Sequence, residues 1–450
     1  MAEYALGPRR VPLEEGWDVL VAGGGPAGVA SAVAAAREGA KVLLLEATGC
    51  LGGMGTAGLG PAWACFSDGE KMIYRGLAER VLGESKKGVP HQPTDRVDWC
   101  TINAEQLKRV YDDLVAEAGV AVRFFTVVLG VEMAEEGVVD VVLAGNKAGL
   151  VACKAKVYVD CTGDGDLAAW AGAPFEKGDP RTGELQPGTH CFLLSHVDGR
   201  TYAAGPNLNH SNPGSPIWEI LRSGKYPQIP DGHLAQALSG PDTLALNAGH
   251  VPVDATDPAS LSAAMPRGRR LAETLRRALA EFYPEAFGES FLAATAPLMG
   301  VRESRRILGD YVLTVQDYMA RRSFPDEIGR NCFEIDVHRT DRSETDPAHR
   351  KTDLAGFERY ASGESHGIPY RCLTPRRLRN VLVAGRCIST DRPVNGSVRI
   401  MSACLVTGEA AGTAAAMAAA DDPPDVHAVD TDRLRRRLRD GGAYLPDVGA

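Results

Sequence analysis

"DVLVAGGGPAGVASA", residues 18–32, decides the fold: an apolar run breaks into Gly23, Gly24 and Gly25, passes Pro26, Ala27 and Gly28, and continues as small, alanine-rich sequence. "WDVLVAG" reads as a buried parallel strand, the glycines as a tight turn, and "PAGVASAVAAAREG" as a helix small enough to pack closely on a sheet. "AKVLLLE" follows as a second strand ending at Glu46. This strand, glycine turn, helix, strand, acid order is that of a dinucleotide-binding unit. Gly23 permits the turn, Gly25 lets backbone N–H groups approach a pyrophosphate, and Gly28 lets helix and sheet meet. The helix N-terminus adds the positive end of its dipole. A carboxylate at Glu46 is placed to take both hydroxyls of an adenosine ribose and would repel a 2′-phosphate.

Beyond Glu46 the chain reads "ATGCLGGMGTAGLG", with Gly52, Gly53, Gly55, Gly58 and Gly60 close together. Repeated glycine costs chain entropy, so such a run implies backbone held near something flat or extended. That favours FAD over NAD. Two later blocks extend the pattern: "VYVDCTGDGDLAAWAGAPFEKG" from Val157 and "RNVLVAGRCISTDRPVNGSVRIMSACLVTGEAAGTAAAMA" from Arg379.

On these motifs, spread from about residue 18 to 420, the chain resembles the FAD-dependent oxidoreductase family of the glutathione-reductase-like superfamily, in its fumarate-reductase-like branch. The resemblance implies noncovalent FAD on Gly23, Gly25, Pro26, Ala27 and Gly28, with Glu46 and Ala47 at the ribose. It extends the contacts to Gly52, Gly53, Met54, Gly55 and Thr56, and to Val128. It further implies Gly163 and Asp164 near the cofactor, a strand ending at Gly385 and Arg386, and a helix starting near Val398 and Arg399 that aims at the flavin. The residues agree: "RNVLVAG" is a second buried strand, and the small-residue helix after it can face negative charge developing on a reduced flavin. The Gly408 and Gly412 spacing suggests close helix–sheet contact.

The expected fold is α/β: a Rossmann-like FAD-binding domain with a parallel sheet and a small antiparallel sheet, carrying an inserted α+β substrate domain. Its first part covers 17–185, the insertion 186–370, the second part 371–420, and a tail with a short helix 421–450. The antiparallel sheet is read from the alternation between Val120 and Cys161, and a helix is expected around "DPASLSAAMPRGRRLAETLRRALAEFYP". No second glycine fingerprint follows a strand in the insertion, so a nicotinamide domain is missing.

Three side chains are candidates for chemistry. Arg302, grouped with Arg305 and Arg306 in "MGVRESRRILGDYVLT", could hold a carboxylate from one helical face or belong to an ion-pair network. His338, at the end of "NCFEIDVH", is the best base available, and Tyr370 is an alternative acid or orienting group.

The remaining features bound the partners. A net charge of −9 argues against nucleic acid, and the basic run Arg433–Arg439 reads as the solvated face of a helix. The N-terminus lacks the basic start and apolar core of an export signal, no segment reads as a membrane span, and ten cysteines without paired spacing suit a reducing cytoplasm. No metal site is indicated; Cys50 reads as a packed thiol. A small-molecule substrate and a homo-oligomer are expected. The leading activity is hydride transfer between an alcohol, amine or C–C bond and the flavin, with the electron acceptor open among oxygen, a quinone and a protein. For C–C chemistry Arg302 would replace His338 as the acting residue. The competing class is an FAD- or NAD-binding scaffold or biosynthetic protein of thiazole-synthase or RNA-modification type, without flavin turnover.

Overall fold

The computed structural model describes residue 7 and residues 10–339 and 357–446. The first residues, read above for an export signal, and Thr340 and Asp341 beyond His338 lie outside these. The opening stretch forms β1 (Leu13–Ala22) and α1 (Pro26–Arg37), followed by β2 (Val42–Leu45). The last four residues of β1 and all of β2 are buried, as their unbroken apolar sequence requires. With β3 (Ala121–Arg123), β4 (Val127–Glu135), β5 (Val138–Asn146) and β6 (Gly149–Asp160) they make a sheet of order β3-β2-β1-β6-β5-β4.

The small antiparallel sheet expected from the sequence is fused to the parallel one. β6 is long enough to serve both: Gly149–Cys153 pairs antiparallel with β5, while Tyr158–Asp160 pairs parallel with β15 (Val381–Val383). β1 runs parallel to β6 along its length, ending with Ala22 opposite Asp160.

A second sheet, β11-β8-β10-β9, is built from β8 (Phe192–Ser195), β9 (Leu234–Gly240), β10 (Thr243–Ala248) and β11 (Phe291–Thr295), all antiparallel. Leu271, Leu275 and Leu279 of α2 (Pro258–Phe282), at helical spacing, close a separate core with Phe192, Leu244 and Phe287. That core ends near Met299, well before residue 370. Ile307, Leu313, Phe324, Ile335 and Ile368, read above as part of the insertion, pack in the first core. Two ladders tie this segment down: β12 (Arg305–Ile307) on β7 (Phe175–Lys177), and β13 (Glu327–Asn331) on β14 (His366–Pro369).

After β15 come α3 (Arg392–Val398), α4 (Met401–Ala419) and α5 (Thr431–Asp440). The expected helix–sheet contact of Gly408 and Gly412 is instead a helix–helix contact. A Cβ at Gly408 would strike the Ala27 carbonyl and one at Gly412 the Ser31 carbonyl, so α4 crosses α1 with the two backbones touching. The basic run in α5 is only partly a solvated face, because Leu434, Arg435 and Leu438 turn inward and Arg435 Nη1 donates to the Glu327 carbonyl at 2.6 Å. Among the described residues, no single helix is long and apolar enough to cross a membrane.

Candidate active site

The glycine turn is held from three sides. Gly24 N–H donates to Glu46 Oε2 at 2.7 Å, Thr48 N–H to Glu46 Oε1 at 2.7 Å, and Gly52 N–H to the Gly24 carbonyl at 2.8 Å. Gly23 adopts φ +96° where β1 must turn beneath Cys161, and a Cβ on Gly28 would strike the Gly23 carbonyl. Gly25 is different: a Cβ there would meet nothing within 4 Å. It is the N-cap of α1, with no side-chain cap and no acidic residue in the first turn, so the helix start keeps its N–H groups and positive field for an anion. The Gly53 backbone sits against Gly25 and Pro26. Each Glu46 oxygen takes one protein N–H and keeps lone-pair capacity for a ribose hydroxyl.

Asp160 fixes the next segment. Buried beneath the end of β6, it accepts from Thr162 N–H and Oγ1 and from Ala168 N–H, and burial pushes its carboxyl up to about 6. This positions Gly163 and Asp164, whose Oδ1 accepts from Arg386 Nη2 at 2.8 Å and from Ser304 Oγ at 2.6 Å. Gly385 approaches Ala27, bringing this trio beside the start of α1. At the α3–α4 junction, Asn395 Oδ1, Arg399 Nε and Ser402 Oγ are buried without a partner. An uncapped helix start with open space, an acid with spare acceptor capacity, and this orphaned polar cluster fit a long dinucleotide such as FAD.

A buried cluster of charged and titratable side chains lies where the second core meets that junction. The loop before β9 brings Asp231 and His233, the end of β10 brings Asn247 and His250, and the strand-like run after β13 brings Asp336 and His338. One ring nitrogen from each of His233, His250 and His338 lies within 4.8 Å of the others, all three residues buried. His250 Nδ1 is 2.9 Å from Asp231 Oδ2, His250 Nε2 is 2.9 Å from His338 Nδ1, and His338 Nε2 is 3.0 Å from Asp336 Oδ2. Arg399 Nη2 donates to the Asp336 carbonyl at 2.8 Å and to Oδ2 at 3.1 Å. Arg302 Nη1 donates to the Pro187 carbonyl and Thr189 Oγ1, each at 2.8 Å, and its Nη2 lies 3.1 Å from His233 Nε2.

Burial and nearby charge set the protonation. Burial drives His338 well below the usual imidazole range, Arg302 adding to this and Asp336 opposing it; burial and the neighbouring rings depress His233. Burial alone would raise Asp336, but His338, Arg399 and Arg302 outweigh it and hold the carboxyl far below its ordinary value.

The sequence-predicted residues divide accordingly. Arg302 and His338 come together with Arg399. Arg305 and Arg306 do not share Arg302's face, because this segment is a strand rather than a helix: Arg305 pairs with Asp166 and Arg306 with Glu303. Tyr370 is corrected from a candidate acid to a structural residue. Its hydroxyl donates to the Val426 carbonyl at 2.7 Å, and it lines a separate cleft of about 360 Å³ with Asp310, Arg371 and His427. Cys50 is free and packs toward Thr56. Ala47 is exposed beside Glu46, and Val128 lies half-buried in β4. Sequence reading missed Asp231, His233 and His250; the signal available was an Asp-x-His at 231–233 repeating the one at 336–338.

The family described as FAD dependent oxidoreductase matches residues 18–438. Glutathione reductase of Schizosaccharomyces pombe is 32% identical over 121 residues, which are 24% of this chain and 24% of that enzyme. The match thus spans about a quarter of that relative's length. Among solved structures, a geranylgeranyl bacteriochlorophyll reductase-like protein from Thermoplasma acidophilum superposes with a TM-score of 0.46 at 13% identity, over 95% of this chain and 83% of that one. An anhydrotetracycline hydroxylase from Streptomyces rimosus gives 0.45 at 15% identity, over 94% and 66%.

Proposed function

This chain belongs to the FAD-dependent oxidoreductase family, and from that premise we propose that it moves a hydride between a small organic substrate and the flavin, with the accompanying proton handled by His338. Bound FAD supplies the hydride acceptor or donor. The observation that carries the reading is the meeting of a buried arginine with linked histidines beside the α3–α4 junction, where Arg399 joins Asp336 to the cofactor-facing helices.

The residues divide the work by their fixed contacts. Arg302 is a permanent cation whose fork is locked by Pro187, Thr189 and His233, so it orients an electron-rich oxygen of the substrate rather than donating its own proton. His338 is an imidazole kept neutral by burial and linked to an ionised Asp336; with both ring nitrogens engaged, it handles the proton of an alcohol or amine through Asp336 rather than by direct contact. The loop Gly52–Gly60 and the Thr189–Gly300 bridge meet around Met54 on one side of this site.

Anaerobic mixing of the FAD-loaded protein with alcohols, amines, sugars and unsaturated acids tests the proposal. Bleaching of the flavin absorbance by one of these classes is the expected result. A flavin that stays oxidised with all of them, and that in its chemically reduced form transfers nothing to the matching carbonyl, imine or alkene, would leave a scaffold role.

A further inference from the structure

Asp231, His250, His338 and Asp336 form one continuous chain of three hydrogen-bonding contacts, and each contact needs one hydrogen. Two neutral imidazoles bring two N–H groups, and two carboxylates bring none. The chain is therefore one hydrogen short for any choice of ring tautomer. If His250 donates to Asp231 and His338 to Asp336, His250 Nε2 and His338 Nδ1 face each other as bare lone pairs at 2.9 Å. Reversing either ring only moves the conflict onto a carboxylate. In a buried site two acceptors do not stay in contact unless something positive lies between them.

We propose that the Asp231–His250–His338–Asp336 chain holds one exchangeable proton beyond those of its neutral rings, seated on His250, and that it relays protons between the α3–α4 junction and the loop before β9. This deepens the hydride-transfer reading of the same site and rests on it for the identity of the proton donor.

The seat follows from the surroundings. Asp336 is kept ionised by His338, Arg399 and Arg302, and His338 resists a second proton because it is buried beside Arg302. His250, in contact with the Asp231 carboxylate, takes it. Other charged or titratable groups facing the chain are His233, stacked on His250 with ring centroids 4.5 Å apart, then Arg302, Arg399 and the half-buried His210 next to His233.

A divalent cation satisfies the lone pairs less well than a proton. His233 lies parallel to His250, which keeps the two rings from pointing at one ion, and its Nε2 is already met by Arg302. A divalent charge would also add to the guanidiniums of Arg302 and Arg399 that already face the chain.

During turnover, the substrate X–H bond breaks as hydride leaves the adjoining carbon, and its electron pair becomes the new X=C bond. The released proton enters at Asp336. The His250 Nδ1 proton crosses to Asp231 and leaves from it, while His250 Nε2–H and His338 Nε2–H stay in their own contacts, so that Asp336 ends protonated, Asp231 ionised and both rings neutral. No electrons move through the chain, and its proton count is restored.

The test is ¹⁵N NMR of the FAD-loaded protein labelled at histidine, with the His250 signals assigned by their loss in His250→Gln and by their movement in Asp231→Asn. Expected for the wild type at neutral pH is a His250 ring protonated on both nitrogens. In Asp231→Asn the amide supplies the missing hydrogen, so His250 should revert to a singly protonated ring while FAD content and melting temperature stay near wild type. A neutral His250 in the wild-type protein would overturn the proposal, as would a ring unchanged by Asp231→Asn. A stoichiometric divalent metal in the purified protein whose removal by chelator shifts these resonances would overturn it in favour of a metal site. Because the ring signals need no substrate, an imidazolium with an unreactive flavin refutes the redox reading alone, and a reactive flavin over a neutral His250 refutes the relay alone.

Discussion

Arg302 carries its charge inside the protein on contacts with Pro187, Thr189, His233 and Asn247, which lie apart from the dinucleotide cradle. Arg302→Met should therefore retain FAD and lower kcat/KM by about 10- to 150-fold, the equivalent of about 1.5–3 kcal/mol for hydrogen bonds to a charged group. Arg302→Lys should rescue little, since a single ammonium cannot make the forked contacts; steady-state kinetics with flavin content measured in parallel decides both. Glu46 makes a contrasting prediction. Glu46→Ala should weaken FAD binding by about 1.5–3 kcal/mol in a titration of the apoprotein, and unchanged affinity would reject its ribose role. Glu46 was legible in the sequence because everything that defines it lies within one βαβ unit. Tyr370 was misread because its partner, the Val426 carbonyl, lies 56 positions away. His250 was missed because the residue that gives it meaning, His338, is 88 positions distant and no local pattern joins them.

The α1–α4 crossing ties the two halves of the cofactor domain together. Gly408→Val would drive a branched side chain into the Ala27 carbonyl at the cofactor end of α1. It should lower stability by about 1–3 kcal/mol or more as overpacking and reduce FAD retention with it, read as a lower melting temperature and a paler protein. The preceding alanine-rich pattern announced close packing, but not whether a helix or the sheet was the neighbour, because small residues suit either. Glu409 on α4 adds a pH signature. It is buried with Oε2 accepting from Leu77 N–H at 3.0 Å, and burial raises its carboxyl to about 7. A folded-state value above the unfolded one means that the folded state binds the proton more tightly. Stability from this group is thus present below about pH 4.5 and is lost as pH rises through 7. Glu409→Gln, which keeps an acceptor for Leu77, should gain about 1–3 kcal/mol over wild type at pH 8 and little at pH 4, measured by denaturant titration at both pH values.

At the scale of the whole molecule, the residues proposed to hold the cofactor lie on the first core, and the proposed substrate site is completed by the second. Glycine turn, Glu46, Gly52–Thr56 and the Asp164–Arg386 pair are organised on the first core, whereas Asp231, His233 and His250 arrive from the second. The glycine turn and Glu46 were readable because βαβ geometry forces a local spacing, whereas Asp164 and Arg386, 222 positions apart, came only from the family resemblance. The second set depends on how one core docks on another, which linear spacing does not encode; hence the insertion was expected to run to 370 although Ile307, Leu313, Phe324, Ile335 and Ile368 return to the first core. This separation makes a decisive variant available. His338→Ala leaves every residue of the glycine cradle in place while removing the side chain that links Asp336 to His250. The central measurement is the anaerobic rate of flavin bleaching after rapid mixing with the active substrate, on wild-type and His338→Ala proteins of equal FAD content. The account predicts a slowing of roughly 10²–10⁴-fold, the share of a positioned proton-transfer group; near-wild-type bleaching in the variant would contradict it.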